Sequence, residues 1–541
     1  MLNFHTVRQK IAFTGLMAAM WVAPLAAKPF SPAYEWRSLS AGFQARTIAA
    51  QELRNHVAVL TSDSLEGRET PTAGMWKTAH YIARNFKNWG LTPLPGAPDF
   101  FYRYPVKVKE HHAPPELDII SGNDTLALEN ITHFRFLPFY HDSAGAGTDS
   151  LVFVGYGIHT DSLDYDDFKD IDVTNKIALF FSGEPQDSTD CSILTGEKWS
   201  RYASGRHKRE YLQKLGAAGC IEILLPDSSE SFPKQSRWVK SIANRNAVTL
   251  LPDTMTTPFL GFLASWTAID SFFLQQNMNL TALRQKIDAS LTPMSFPMTL
   301  NIQYSFHITS RIDTAVNVIA QLSGKDPHLT GEAVMLTAHM DHEGVKDSVI
   351  YRGADDNASG TAAVLAIARA LAQRGPGRRT QLIMLVSGEE KGLLGSKAYT
   401  ANPIWPLDHT VAEINIDMIG RNAPDSIFVI GSDMLSNDLD QAVRAAARWS
   451  RGMRLDFRYN TTDDPNRFYY RSDHYNFAKN NVPSVFYFSG IHEDYHKPTD
   501  TMEKLDFGKM ERVTRMIYRL THTLNMTKKR PHLSAVDAAA H

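Results

Sequence analysis

Cysteine is almost missing from this chain: Cys191 and Cys220 are the only two among 541 residues. Two thiols build neither a disulfide framework nor a thiolate metal cage. Any metal held here must therefore use imidazole and carboxylate. In an exported protein the two could form one disulfide; as unpaired thiols, Cys220 would sit buried in an apolar strand. Surplus charge is lacking as well, with 56 basic against 58 acidic residues and a net charge of −2. That excludes the strong basic face a nucleic-acid partner needs, and it leaves acidic substrates open. No internal repeat is present, and no low-complexity segment before the tail. An unbroken membrane-length apolar run is also missing. The first candidate, IAFTGLMAAMWVAPLAA, is interrupted by Pro24 and is short for a span of about 20 residues.

That run is better explained as export. Arg8 and Lys10 precede it, and small residues close it near Ala26 and Ala27, the layout of a signal peptide. A periplasmic or secreted protein, free of the membrane after cleavage, is expected. The length exceeds one core. We expect a signal at 1–27, an N-terminal helical segment at 28–126, a strand-rich module at 127–297, a catalytic domain at 298–527 and a disordered tail at 528–541. Apolar residues at helical spacing mark IAAQELRNHVAVL and AGMWKTAHYIARNF as helices. LTPLPGAPDFF and HHAPPELD are expected as Pro-rich connections. In the module, SLVFVGYGI and KIALFFSGEP are strand-like, and HKREYLQKLGAAGCIEILLPD is helix followed by buried strand. From about residue 311, buried strands alternate with amphipathic stretches, which predicts an α/β fold: a mixed, mostly parallel sheet with helices on both faces.

Against this background, ligand-type residues recur in short, unusual contexts: His339 in LTAHMDH, Asp356 in GADDNASG, Glu389 and Glu390 in VSGEEKG, Asp417 in NIDMIG and His496 in DYHKPTD. Two His and three carboxylates suffice for two divalent ions with one carboxylate bridging, leaving Glu389 to move a proton. His339, Glu389–Glu390 and Asp417 fall at or just after the ends of predicted strands, where open α/β sheets bind ligands. Adjacent buried carboxylates such as Glu389 and Glu390 are costly without a cation nearby. His339 and Asp341 share a strand face, so Asp341 is placed to accept the imidazole N–H and fix its tautomer. Taken singly, GADDNASG would suit a calcium loop or a turn, and Asp417 a helix cap.

The set AHMDHEG, GADDNASG, GEEKGLLGS, INIDMIG, RSDHYNF and DYHKPTDT resembles the motifs of secreted bacterial di-zinc aminopeptidases, metallopeptidase family twenty-eight, over roughly residues 311–525. The resemblance implies the zinc-peptidase fold and two Zn²⁺ per chain. It implies Asp356 as the bridge, His339 and Asp417 on one metal, Glu390 and His496 on the other, and Glu389 as general base. Tyr495 is similar to a family tyrosine that stabilises the oxyanion, and Arg471 is a candidate for holding substrate backbone. His342 and His474 are placed behind or at the rim of the site. FVGYGI, DDFKDIDVTNKIALFFSGEP and LGAAGCIEIL resemble an inserted protease-associated domain, with Asn175 where glycine is usual. The implied activity is removal of N-terminal residues from peptides. A carboxypeptidase using Arg421 and Arg471, a single-zinc glutaminyl cyclase and a non-catalytic relative are the rivals. The cyclase does not need His339 and Asp417 together, and a non-catalytic relative loses ligands that are all present here.

Overall fold

The computed structural model describes residues 32–534, apart from 131, 138–140, 142, 188–190, 197–199, 226–246, 252–257, 276, 451, 463 and 465. The expected signal at 1–27 and residues 535–541 of the expected tail lie outside the described residues.

One mixed sheet runs through the molecule. Its strands used below are β1 (Phe101–Ser121), β2 (Gly145–Val154), β3 (Ile177–Phe181), β4 (Gly219–Leu224), β5 (Leu260–Ser265), β6 (Ser295–Leu322), β7 (Ala333–His339), β8 (Thr380–Val386), β9 (Thr410–Ile416), β10 (Ser426–Ile430), β11 (Arg454–Asp456) and β12 (Ser484–Phe488). In the C-terminal half, β8, β7, β9 and β12 lie side by side and parallel, and β10 adds antiparallel to β12. Every residue of β7, β8 and β9 is buried, as expected for parallel strands covered on both faces.

One cover consists of α1 (Ala50–Leu60), α2 (Ala73–Asn88), α3 (Gly360–Arg374), α4 (Asn437–Arg448) and α5 (Phe507–Met526), whose apolar faces form one core with β7 and β9. Leu394, Tyr399 and Phe477 cover the other face. No helix among the described residues is long and apolar enough to cross a membrane.

In the module, β2, β3, β4 and β5 are successive parallel neighbours around a second core. Asn175, in place of the usual glycine, has φ 55°, a conformation asparagine tolerates better than most residues. No disulfide joins Cys191 and Cys220, and Cys220 is buried.

The N-terminal segment departs from the expected helix. After α2 it becomes β1, 21 residues long, paired antiparallel with the 28-residue β6 from Phe101↔Val318 to Ile120↔Asn301. HHAPPELD lies inside this strand instead of connecting elements. Its prolines, Pro114 and Pro115, fall where the register shifts between Ala113 and Glu116, and irregularities of this kind spare the ladder the missing N–H. The expected boundary at 126 falls inside the Asp124–Leu128 strand and the one at 297 inside β6, so module and catalytic part share strands. The tail differs too. Lys529 and His532 reach Asp438 at 3.1 and 2.9 Å, and Ser534 donates its N–H to the Leu435 carbonyl at 2.8 Å.

Glu413 lies fully buried on β9, its Oε1 accepting from Thr337 Oγ1 at 2.5 Å. Burial pushes this carboxyl from 4.5 up to about 8. The folded chain therefore keeps a proton that the unfolded chain sheds. That contribution to stability is complete below about 4.5 and is lost as pH rises to about 8. Glu413→Gln is expected to gain melting temperature relative to the parent between about pH 5 and pH 8, and no more beyond. A difference that stays constant over that range would contradict the assignment.

Candidate metal centre

The site is assembled at the carboxyl ends of the parallel strands. His339 is the last residue of β7, Glu389 and Glu390 follow β8, and Asp417 follows β9. Asp356 comes from the turn that enters α3, with Gly353 at φ 54°. A Cβ on Gly353 would lie 2.1 Å from the Asp356 carbonyl oxygen and 2.4 Å from His342 Cγ, so glycine is required for this close approach. His496 arrives on the loop after β12.

These six residues converge. His339 Nε2 is 3.1 Å from Asp417 Oδ1 and 3.3 Å from Asp356 Oδ1. His496 Nε2 is 3.0 Å from Asp356 Oδ2 and 3.1 Å from Glu390 Oε2. The two oxygens of Asp356 thus face two different imidazoles, each with its own second carboxylate. Glu389 stands apart from this pattern, its Oε2 4.0 Å from His339 Nε2.

The hydrogen bonds set the tautomer of His339. Its Nδ1 is 3.3 Å from the Asp341 backbone carbonyl. A carbonyl only accepts, so Nδ1 carries the proton and the lone pair of Nε2 points among Asp417 and Asp356. The Asp341 carboxylate, expected to take that role, lies 3.8 Å from Nδ1. It instead accepts from the Glu389 backbone N–H at 3.3 Å and from Thr70 Oγ1 at 3.2 Å. Asp341 therefore steadies Glu389 as well as His339.

Electrostatics separate the adjacent glutamates. Burial, aided by Glu390 and Asp417 and opposed by His339, pushes Glu389 well above the usual carboxylate range. Burial also opposes ionisation of Glu390, but His496 and a hydrogen bond from His342 hold it well below that range. Asp356 is lowered too: burial and Glu390 resist, while His339 and His496 outweigh them. One glutamate favours holding a proton and its neighbour favours charge.

The donor set was tested against a divalent metal. His339, Glu389 and Asp417 place ligand atoms within 4.8 Å of one another, as do His342, Asp356 and Glu390, and Glu343, Glu390 and His496. Asp356 Oδ2 is buried without a hydrogen-bond partner, and a divalent cation seated between the two Nε2 atoms and these carboxylate oxygens would satisfy both sets of lone pairs. Nitrogen and oxygen donors of this kind suit zinc. The residues fit.

Several supporting residues were not singled out from sequence. Asp500 accepts the backbone N–H groups of Asp355 and Asp356 at 3.0 and 3.1 Å. Ser472 Oγ donates to Asp417 Oδ2 at 2.8 Å. Glu343, fully buried, lies 3.6 Å from His496 Nδ1. All three sit inside the motif stretches above. Arg68 does not: fully buried, it donates to the carbonyls of Met340, Arg352 and Gly353, and nothing local in SLEGRETP signals it.

Of the remaining candidates, Tyr495 stacks on His496 with ring centroids 3.8 Å apart. Arg471 sits with its guanidinium carbon 5.3 Å from the Phe468 ring centroid. Both line a cavity of about 30 Å³ together with Asp356, Glu389 and Asp417. His342 is buried with Nδ1 2.8 Å from Glu390 Oε1. His474 is buried and stacked at 4.8 Å on Phe486, a lining residue of that cavity. Arg421 is paired with Asp494 at 2.9 Å, away from the role of a carboxylate receiver.

The chain is similar to known peptidases. The description of Peptidase family M28 matches residues 317–521. The fold is similar to that of the aminopeptidase from Aneurinibacillus sp. strain AM-1, with a TM-score of 0.60 at 18% identity over 92% of this chain and 98% of that one. A probable zinc metalloprotease of Pyrenophora tritici-repentis is 28% identical over 293 residues, 44% of this chain and 59% of that protein. A probable leucine aminopeptidase of Arthroderma otae is 30% identical over 210 residues, 37% of this chain and 56% of that protein. The chain thus spans less than two thirds of these relatives' own lengths.

Asp356→Asn is expected to lose most of its bound divalent metal on dialysis, whereas Glu389→Gln keeps the parent content. Elemental analysis of the dialysed proteins checks both. Equal metal in Asp356→Asn and parent would remove Asp356 from the bridging position.

Proposed function

Because this chain carries a Peptidase family M28 domain over residues 317–521, we propose that it is a zinc-dependent aminopeptidase that removes N-terminal residues from peptides. One observation carries the choice of peptide end. The cavity at the converged residues is small, walled by Met418, Phe486 and Phe488, and floored by the carboxylates of Asp356, Glu389 and Asp417. These carboxylates complement an α-ammonium group, and the apolar wall suits a hydrocarbon side chain beside it. A free C-terminal carboxylate would meet three acidic groups there against one basic group, Arg471.

Two zinc ions are proposed, with Asp356 between them, His339 and Asp417 on one and Glu390 and His496 on the other. Bound zinc would supply the Lewis acidity that eases deprotonation of water and polarises the scissile carbonyl. The chain's own residues do the remaining work. Glu389, whose Oε2 lies 4.0 Å from His339 Nε2 and whose backbone N–H is held by Asp341, accepts the proton of the attacking water and returns it to the leaving amine. Tyr495, held against His496, is placed to donate to the developing oxyanion. Arg471 lines the same cavity and is placed to contact substrate backbone. Ser472 and Asp500 fix Asp417 and the Asp355–Asp356 turn, so little reorganisation is needed as charge develops.

The module of β2 to β5 supports a protease-associated domain in its parallel core and in the Asn175 turn. The basic and apolar N-terminus supports export to the periplasm or medium. Both belong to the proposal.

Glu389→Ala is expected to lower kcat on leucine 4-nitroanilide by roughly 10²–10⁴-fold, the range of a lost general base, while metal content is retained. Peptides with a free N-terminus should be cleaved and their N-acetyl counterparts should not. Cleavage of N-acetyl peptides, with C-terminal amides resistant, would establish a carboxypeptidase instead.

A further inference from the structure

A second and larger cavity, about 430 Å³, adjoins the reaction pocket. Phe468 and Ile491 line both, so the two share a wall. None of the converged metal-ligand residues lines the larger one. Its size is within the range of small-molecule sites.

The walls are aromatic and interlocked. Phe428 and Tyr459 pack edge to face at 4.7 Å, and Tyr459 and Phe468 at 4.9 Å. Arg454 and Arg458 line the cavity with a single carboxylate, Asp456. Asp456 pairs with Arg458 Nη2 at 2.6 Å, and the Arg458 guanidinium carbon lies 5.4 Å from the Phe428 ring centroid. Two guanidinium groups against one carboxylate leave a surplus positive charge. Ser489 lines the cavity beside the arginines and is 4% exposed. Asn422 fixes this floor, donating to the carbonyls of Ser489 and Gly490 at 2.9 and 3.1 Å.

We propose that this cavity is a carboxylate-binding subsite for the leaving side of the peptide, making short acidic peptides the preferred substrates. The inference rests on the aminopeptidase reading. If the substrate's α-ammonium group lies at the small acidic pocket, a peptide passing Phe468 and Ile491 brings its leaving side to the arginines. Arg454 and Arg458 are then specificity-determining residues. The carboxylate recognised belongs either to a side chain or to the C-terminus of a dipeptide.

The test compares kcat/KM for Leu-Glu-amide, Leu-Gln-amide, Leu-Lys-amide, Leu-Gly-amide and Leu-Gly free acid. The parent is expected to prefer a carboxylate over its neutral counterpart by about tenfold, expressed mainly in KM, as suits one charge-assisted contact at a partly exposed site. The Glu/Gln and acid/amide pairs report which carboxylate is read. In Arg454→Gln/Arg458→Gln the preference should fall to within about twofold, and Arg458→Glu should favour Leu-Lys-amide over Leu-Glu-amide. No preference in the parent, or a preference that survives in the double variant, overturns the subsite. Failure of the parent to cleave leucine 4-nitroanilide, or its cleavage of N-acetyl-Leu-Glu, would overturn the aminopeptidase reading, so the two failures are distinguishable.

Discussion

Repulsion among buried carboxylates governs this structure. Asp341, Asp356, Glu389, Glu390 and Asp417 come together at one sheet edge around His339 and His496, where water screens little. Charges crowded in this way are tolerable only when positive charge stands between them. The surroundings hold the crowd in place. Asp500 grips the two N–H groups of the Asp355–Asp356 turn, Thr70 and the Glu389 N–H share Asp341, and Ser472 fixes one oxygen of Asp417. Behind them Arg68, whose fully buried guanidinium is pushed down to about 10 by burial, adds a fixed positive charge without contacting a ligand directly. The scaffold is built to receive cations.

The same crowding accounts for the division between Glu389 and Glu390. Both are acidic neighbours on one loop, yet only Glu390 has imidazoles on its carboxylate, from His342 and His496 at 2.8 and 3.1 Å. Glu389 gains less compensation and stays closer to its neutral form. Proton handling and metal holding are thus assigned by which neighbours each side chain meets.

The parts legible in the sequence were those with local signatures. β7, β8 and β9 are mostly apolar runs, and a site residue stands at or just past the end of each, so their meeting at one edge followed from ligand binding at the carboxyl ends of such strands. The Asp356 turn was legible through its glycines. Other features required tertiary structure. Arg68 acts from a helical region 271 positions before His339, with no motif to mark it. The Asp341 carboxylate could be placed on the correct face, but the competing backbone carbonyl at 3.3 Å from His339 Nδ1 is invisible to periodicity. His474 lies two residues after Ser472, and only packing shows that it turns into the aromatic core. HHAPPELD looked like a connection because proline usually ends a strand; here register shifts absorb it.

The ribbon of β1 and β6 has a kinetic consequence. Its register joins Phe101 to Val318 and Ile120 to Asn301, so its first contacts close a very long loop of chain. Pairings this non-local raise contact order and slow folding. The whole module must be made before the ribbon can zip, and β6 leads directly toward β7, the strand that ends in His339. The metal-binding edge is therefore completed late, after the chain between has been synthesised and threaded into place. A protein with this topology would spend its early life without the converged residues in place.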